Sequence, residues 1–176
     1  MTAQVSFWRR MGRALRHRWH DDQVGRSVDA KAMEQLTAAV TRSERFHGGQ
    51  IRICIEGGMP PSYLWRGASA RERALTLFGK LRVWDTEHNN GVLIYLLLAD
   101  RAMEIVADRA LARAVPSETW DAIIASMKDA LRGGRYQEAL EQAVDKVSAL
   151  LESHSDRLAG ASNELPDAPA VGPFNY

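Results

Sequence analysis

The sequence predicts an α/β domain in which helices cover both faces of a small mixed sheet of three or four strands. Three observations indicate this class. The predicted elements follow in the order helix, strand, helix, strand, strand, helix, helix. One predicted strand is continuously apolar, which is typical of a strand covered on both faces. A strand–helix–strand unit makes its two strands parallel, and the hairpin that follows adds an antiparallel strand.

The first half of the chain contains a helix, a strand and a second helix. Asp29 can cap the first helix, and the glycines within residues 47–49 end it. Residues 51–56 alternate isoleucine with other side chains, which predicts a strand. Residues 69–72 read as a serine–glutamate capping box that opens the second helix.

The second half predicts a hairpin and two further helices. Residues 92–99 form an apolar strand and residues 103–107 a second strand, with a two-residue turn between them. Helical periodicity then covers residues 116–131 and 136–151, separated by a pair of glycines. A short fourth strand is expected in one of two places, residues 59–63 or residues 111–115.

Length and charge describe one domain with a distinct amino-terminal segment. The 176 residues divide into a basic amphipathic leader (1–26), the domain itself (27–154) and a flexible, proline-containing tail (155–176). Residues 1–20 hold five arginines and no acidic residue, whereas the remainder carries 18 basic and 22 acidic residues. A mildly acidic body argues against a nucleic-acid-binding protein.

The leader places apolar side chains on one helical stripe among its arginines. The stripe consists of Trp8, Met11, Leu15 and Trp19. A basic amphipathic segment of this kind can lie on an anionic membrane or bind a protein partner through residues 5–19. The alternatives are a helix that packs its tryptophans on the body, or a frayed tail.

Cysteine content and hydropathy favour a cytoplasmic protein, at most peripheral to a membrane. Cys54 is the only cysteine, so no intramolecular disulfide framework exists. The longest apolar run has eight residues, whereas a transmembrane helix needs about 20. Residues 1–20 lack the apolar core of a secretory signal, because arginines interrupt every candidate stretch.

The hairpin predicts where a site could lie. Residues before its first strand and after its second strand must meet at one end of the sheet, which gathers five oxygen-bearing side chains. These are Asp85, Glu87, Asn89, Asn90 and Asp108. Such oxygens suit a hard cation, Ca²⁺ or Mg²⁺, and paired carboxylates could equally serve acid–base chemistry. The alternative is ordinary turn chemistry, since turns favour Asp, Asn and Gly.

A second candidate is an aromatic lip formed by Tyr63, Trp65 and Arg66 in a proline-flanked loop. These side chains could face a ligand, or they could simply pack over the core. The sequence contains no glycine-rich phosphate-binding motif and no serine-hydrolase or zinc-protease motif. We therefore expect no organic cofactor.

Residues 90–94, 98–101 and 104–106 resemble the TPM domain family. Its hallmark is an asparagine–glycine entry to an apolar strand, an aspartate–arginine turn and an alternating second strand. The resemblance runs from the first helix to the last, and it is greatest to the short, soluble bacterial branch. It implies a three-layer α/β/α sandwich around a small, mostly parallel sheet, with an acidic cleft at the five residues above.

The same resemblance implies two functions. Family members include a thylakoid-lumen protein described as an acid phosphatase and bacterial proteins described as binding calcium. One hypothesis is therefore a soluble binding module whose acidic loops hold a divalent cation. The alternative is a metal-dependent acid phosphatase acting on phosphoesters, with Arg109 neutralising the phosphate. The glycine–tyrosine segment that follows the second strand in many members is absent here, where residues 107–111 stand instead.

Overall fold

The computed structural model describes residues 2–21, 23–154 and 163–174, with side chains from residue 11 onward except that of residue 21. The helices are α1 (Thr2–Asp21), α2 (Val24–Ser27), α3 (Ala30–Ser43), α4 (Pro61–Trp65), α5 (Ala70–Lys80), α6 (Arg109–Ala114), α7 (Ser117–Ser126), α8 (Lys128–Arg132) and α9 (Tyr136–His154). The strands are β1 (Gln50–Glu56), β2 (Gly91–Leu97), β3 (Ala102–Ala107) and β4 (Ala170–Val171).

The four strands form one mixed sheet in the order β3-β2-β1-β4. Strand β1 runs parallel to both β2 and β4, and the β2–β3 hairpin is antiparallel. The register pairs Gln50 with Gly91 at one end of β1 and Glu56 with Leu97 at the other. The predicted α/β class with a small, mostly parallel sheet is confirmed.

Helices cover the sheet on both faces. Alternate residues of β2 point to opposite sides, so that Ile94 belongs to a cluster with α3, α7 and α9, whereas Leu93 belongs to a cluster with α5. All seven residues of β2 are buried. Its unbroken apolar sequence follows from this position inside a three-layer sandwich.

The fourth strand is not where the sequence placed it. Residues 59–63 lead into α4, because Pro61 stands at the first helical position where its missing N–H costs nothing. Residues 111–115 belong largely to α6, whose N-cap Asp108 accepts a hydrogen bond from the Arg109 backbone N–H. The fourth strand is β4 instead, which pairs with β1 from the far end of the chain.

Residues 163–174 lie against the body, in contrast to the expected flexible tail. The side-chain oxygen of Gln50 accepts hydrogen bonds from the backbone N–H groups of Glu164 and Leu165, at 2.8 and 3.0 Å. Arg52 donates to the carbonyl of Ala168 at 2.6 Å. Backbone pairing with β1 and these side-chain bonds order the segment, and neither follows from its proline-rich composition. The rest of the predicted tail, residues 155–162 and 175–176, lies outside the described residues.

The hairpin turn is longer than predicted. The N–H groups of Leu98 and Ala99 bond to the carbonyls of Glu56 and Gly57, at 3.0 and 2.9 Å, so both residues follow β1 rather than pair with β3. The turn therefore spans residues 98–101, and Arg101 closes it in the left-handed region at φ 48°. As a result, the carboxylate of Asp100 lies at the end of the sheet where β1 and β2 finish.

Candidate functional site

Asn90 and Asp108 meet at the entry to the hairpin. The Asp108 backbone N–H donates to the Gly91 carbonyl at 2.8 Å, which places Asp108 beside the residue that follows Asn90. Asn90 is held by two further bonds: its N–H donates to the Thr86 hydroxyl at 3.1 Å, and its side-chain NH₂ donates to the Gly48 carbonyl at 2.7 Å. The amino ends of β1 and β2 and the carboxyl end of β3 thus converge here.

Each of these two side chains has one buried oxygen without a partner. Asn90 is 6% exposed and Asp108 is 8% exposed. Within the described part of the chain, neither Asn90 Oδ1 nor Asp108 Oδ2 accepts a hydrogen bond. Leaving a buried acceptor unsatisfied costs about 1–3 kcal/mol, and more for a charged group. Both unpartnered oxygens belong to residues at this end of the sheet.

Gly91 is required for this approach. A Cβ at this position would lie 2.1 Å from the Val83 carbonyl oxygen, which no side chain can tolerate. The absence of a side chain lets the polypeptide after α5 cross directly over the start of β2. The asparagine–glycine pair thus meets two separate structural demands, a side chain that donates to the Gly48 carbonyl and a close backbone contact with Val83.

The other predicted oxygen ligands serve the turn before β2. Asp85 forms an exposed ion pair with Arg82, and the Glu87 side chain is 79% exposed, 3.8 Å from His88. Asn89 lies in the left-handed region at φ 51°. Among the described residues, no three acidic, histidine or cysteine side chains are grouped as metal ligands. Of the five predicted residues, Asn90 and Asp108 are buried, whereas Asp85, Glu87 and Asn89 are exposed.

His47 is a neighbour that sequence reasoning did not single out. It is 4% exposed, its Nδ1 lies 3.1 Å from the Gly49 carbonyl, and its Nε2 has no partner among the described residues. Burial lowers the pKa of the imidazole, outweighing the hydrogen bond to Gly49. Its only sequence signal is its place before Gly48 and Gly49, which the sequence predicts as the helix stop, whereas α3 already ends at Ser43.

The residues of the predicted aromatic lip belong to the short helix α4 and to its C-cap, Arg66. Tyr63 lies between two guanidinium groups, with Arg66 4.5 Å and Arg73 4.8 Å from its ring centroid. A hydrogen bond to Thr76 and the nearby arginines lower the pKa of its hydroxyl. Trp65 is 70% exposed and belongs to α4. Tyr63 therefore packs against the body, which is the second of the two arrangements considered for these residues. Trp65 remains on the surface.

The leader forms helix α1 and binds the body through its polar side. Asp100 accepts from Arg13 at 2.8 Å, from Arg16 at 2.7 Å and from His17 at 3.1 Å. His17 is 1% exposed, and its Nδ1 accepts the Met59 N–H at 2.9 Å, so the proton that reaches Asp100 is on Nε2. Burial acts to raise the pKa of Asp100, but the hydrogen bonds from His17 and Arg13 outweigh it and hold the pKa well below its usual range.

The apolar stripe of α1 faces away from the body. Met11, Leu15 and Trp19 are 40%, 66% and 72% exposed, and with about 3.6 residues per turn they lie opposite Arg13 and His17. Trp19 therefore does not pack on the body, contrary to one of the alternatives considered, and the Trp8 side chain lies outside the described residues. None of the helices in the described ranges is long and apolar enough to cross a membrane.

The fold and the hairpin define a TPM-type α/β/α sandwich. The family model described as TPM domain matches residues 21–150, and the chain belongs to this family. A solved relative in fold is the BA42 protein of the psychrophilic bacterium Bizionia argentinensis, determined by NMR. It is 22% identical with a TM-score of 0.71, over 81% of this chain and 94% of the other. No curated protein matches the chain.

Proposed function

We propose that this chain is a binding module that holds a divalent cation through Asn90 and Asp108. The observation that carries the proposal is the pair of buried, unpartnered oxygens, Asn90 Oδ1 and Asp108 Oδ2. Carboxylate and amide oxygens are ligands that Ca²⁺ and Mg²⁺ prefer. The residues present therefore fit a hard cation, and Asn90 and Asp108 are the ones that would hold it.

The two oxygens of the Asp108 carboxylate differ in their contacts, and this difference supports the proposed role. Its Oδ1 accepts the Arg109 N–H at 2.6 Å and so caps α6, which fixes the carboxylate and leaves Oδ2 for a ligand. Asn90 and Asp108 supply two oxygens, whereas Ca²⁺ and Mg²⁺ take about six or more, so water must complete the coordination of a bound ion. The proposed role is binding, because the proposal rests on two oxygen ligands, Asn90 and Asp108, and neither is a nucleophile paired with a base among the described residues.

Thermal-shift titration tests the proposal. A cation at 100 times its dissociation constant stabilises the folded state by about 2.7 kcal/mol, which for this chain length raises Tm by roughly 5–10 °C. We expect this rise with Ca²⁺ or Mg²⁺ for the unmodified protein, and its loss in Asp108→Asn, which keeps the capping oxygen but removes the charge. Asp85→Asn is the matched control and should keep the full rise. No rise with either ion, or an equal rise in Asp108→Asn, would refute the proposal.

One assay distinguishes the phosphatase hypothesis from the hypothesis of a cation-binding module. Arg109, its expected phosphate ligand, has an exposed side chain and contributes its backbone N–H to Asp108. Release of phosphate from an aryl phosphate, dependent on a divalent ion and lost in Asp108→Asn, would establish the enzyme. Cation binding without release of phosphate would instead support the role of a binding module.

A second observation favours docking of the module at an anionic membrane surface on the cytoplasmic side. The exposed stripe of α1 is flanked by basic side chains, with Arg16 on one side and Arg18 on the other. Because Asp100 holds the opposite side of the helix, the stripe stays oriented outward.

Vesicle co-sedimentation tests this docking. Vesicles containing phosphatidylglycerol should bind the protein, whereas pure phosphatidylcholine vesicles should bind it weakly. The double substitution Leu15→Ser with Trp19→Ser should abolish binding. Leu75→Ser removes a comparably exposed leucine from α5 and should not affect it. Equal binding by the double variant would exclude α1 as the docking surface.

A further inference from the structure

Strand β3 forms one edge of the sheet and presents backbone groups that β2 does not use. The bond from the Asp108 N–H to the Gly91 carbonyl identifies Gly91 and Asp108 as a hydrogen-bonded pair of the antiparallel ladder. Such pairs alternate along a hairpin. By this register, the N–H and C=O groups of Met103, Ile105 and Ala107 therefore point away from β2, toward the edge of the sheet that no other described strand pairs with.

A groove with a volume of about 410 Å³ runs along this edge. Its floor is β3, one wall comes from α6 and α7, and Arg71 of α5 stands on the other side. The apolar part of the lining consists of Ile105, Ala107, Ala112, Val115, Trp120 and Ile124. The groove shares no lining residue with the proposed cation site or with α1.

One polar group of the groove has no partner among the described residues, and two carboxylates of the groove are near a single arginine. Trp120 is 9% exposed. Its indole N–H is buried and has no acceptor within the described residues. The Glu104 carboxylate shares the groove with Asp121, and its nearest cation is Arg71 at 3.7 Å. Burial raises the pKa of Glu104, Arg71 partly offsets this, and the charge of Asp121 raises it further.

We infer that this groove binds an extended peptide segment carrying a lysine, which adds to β3 as a fifth strand. The backbone of the segment would pair with the outward groups of Ile105 and Ala107, as in other strand-addition complexes. A backbone carbonyl would accept the Trp120 N–H. The lysine ammonium would lie between Glu104 and Asp121, where two carboxylates face one arginine.

Arg71 protects this edge in the free protein. Its Nη1 donates to the Ile105 carbonyl at 2.5 Å, and its side chain is 49% exposed. A long, half-exposed side chain can move aside at little cost, which lets the incoming N–H group take its place. Charged side chains over an edge strand are a common way in which proteins prevent unwanted strand pairing.

Amide NMR titration of the full chain tests the inference. The probe is the pentapeptide acetyl-Thr-Val-Lys-Val-Thr-amide. We expect saturable shifts of the Ile105 and Ala107 amides and of the Trp120 indole signal. The same peptide with glutamate in place of lysine should bind several-fold more weakly. A probe methylated on its three central backbone nitrogens should not bind, because methylation removes the donors that a strand needs.

Protein variants separate the charge from the fold. Asp121→Asn, at an exposed position, should weaken binding of the lysine peptide by about two- to five-fold, as expected for one partly exposed ion pair. Asp129→Asn on α8 is the control and should have no effect, since the Asp129 side chain is 93% exposed and does not line the groove. Trp120→Phe keeps an aromatic ring without the N–H and should weaken binding by roughly two- to ten-fold.

Three results would overturn the inference. They are the absence of saturable shifts with the lysine peptide, equal binding of the methylated peptide, and shifts confined to residues outside the groove. Equal shifts with n-butylamine alone would assign the groove to a small amine and would equally exclude strand addition.

Discussion

The Arg73 guanidinium and the Glu56 carboxylate form a fully buried ion pair joined by two hydrogen bonds, from Nε to Oε2 at 2.9 Å and from Nη2 to Oε1 at 2.7 Å. The pair links α5 to the end of β1. Tyr95 of β2 donates to the same carboxylate at 2.8 Å, and Arg73 also donates to the Phe174 carbonyl at 2.7 Å. One buried charge pair therefore ties together three elements and the carboxy-terminal segment.

Removing the acid from this pair should destabilise the fold strongly. Glu56→Gln leaves the Arg73 charge buried without its counter-ion, which costs about 3–5 kcal/mol. Urea unfolding at pH 7 measures the loss. Glu72→Gln breaks the exposed pair between Arg66 and Glu72, whereas glutamine can still close the capping box with Ser69, so this variant should lose much less stability than Glu56→Gln. Similar losses in the two variants would contradict the role assigned to the buried pair.

Gly91→Ala should destabilise the protein, whereas Gly79→Ala should not. A Cβ at position 91 would collide with the Val83 carbonyl, and overpacking of this kind costs about 1–3 kcal/mol or more. Gly79 lies within α5 with open space around it, so alanine there should stabilise the helix by roughly 0.5–1 kcal/mol. Thermal unfolding of the two variants provides the comparison, and opposite signs are the expected result.

The stability of the protein should fall as pH rises through the range in which Glu44 ionises. Burial raises the pKa of Glu44 to about 7, from a value of 4.5 outside the fold, outweighing the hydrogen bond from the Ile51 N–H. Between these two values the folded state binds more protons than the unfolded state, so this group lowers the unfolding free energy with increasing pH. Glu44→Gln should therefore be more stable than the unmodified protein at pH 8.

At pH 4.5 the advantage of Glu44→Gln should largely disappear, because the unmodified side chain is then mostly neutral in the folded state. Denaturant unfolding at both pH values measures the difference. Glu34→Gln changes an exposed glutamate on the same helix and should show no such pH dependence. An advantage of equal size at both pH values would exclude the ionisation of Glu44 as its cause.

Asp100 should give the opposite pH dependence. The folded state holds its pKa below the ordinary value of 3.8, so its ionised form stabilises the protein at neutral pH and this contribution is lost as the pH falls below about 4. Asp100→Asn should therefore release α1 at pH 7 and matter little at strongly acid pH. Amide hydrogen exchange of α1 reports the release directly. Unchanged protection of α1 in Asp100→Asn at pH 7 would contradict this assignment.

Much of the secondary structure could be predicted because its signals are local. The Ser69 capping box opens α5 with both reciprocal bonds present, and Asp29 caps α3 through the Ala32 N–H. The predicted helix over residues 116–131 divides at Met127 into α7 and α8. No local residue signal announces this division, so periodicity alone could not predict it.

The sequence predicted which ends of the hairpin meet, but not which of the five oxygen-bearing side chains are buried there. The sequence indicated that the two ends of the hairpin meet, and Asn90 and Asp108 do lie there. It could not separate them from Asp85 and Glu87, because aspartate and glutamate look alike whether they serve a turn or a ligand. Burial distinguishes them, and the contact that holds the Asn90 side chain comes from the Gly48 carbonyl, 42 positions earlier in the chain.

The sequence by itself determined the order of the main helices and strands, the parallel strand pair, the hairpin and the family, because capping, periodicity and the asparagine–glycine entry act over a few residues. Only the tertiary structure decided that β4 pairs with β1, that Asp100 holds α1, and that Glu56 neutralises Arg73. These contacts join residues from 17 to more than 100 positions apart. Their free energy depends on which groups the folded chain removes from water together, and no short stretch of sequence contains that information.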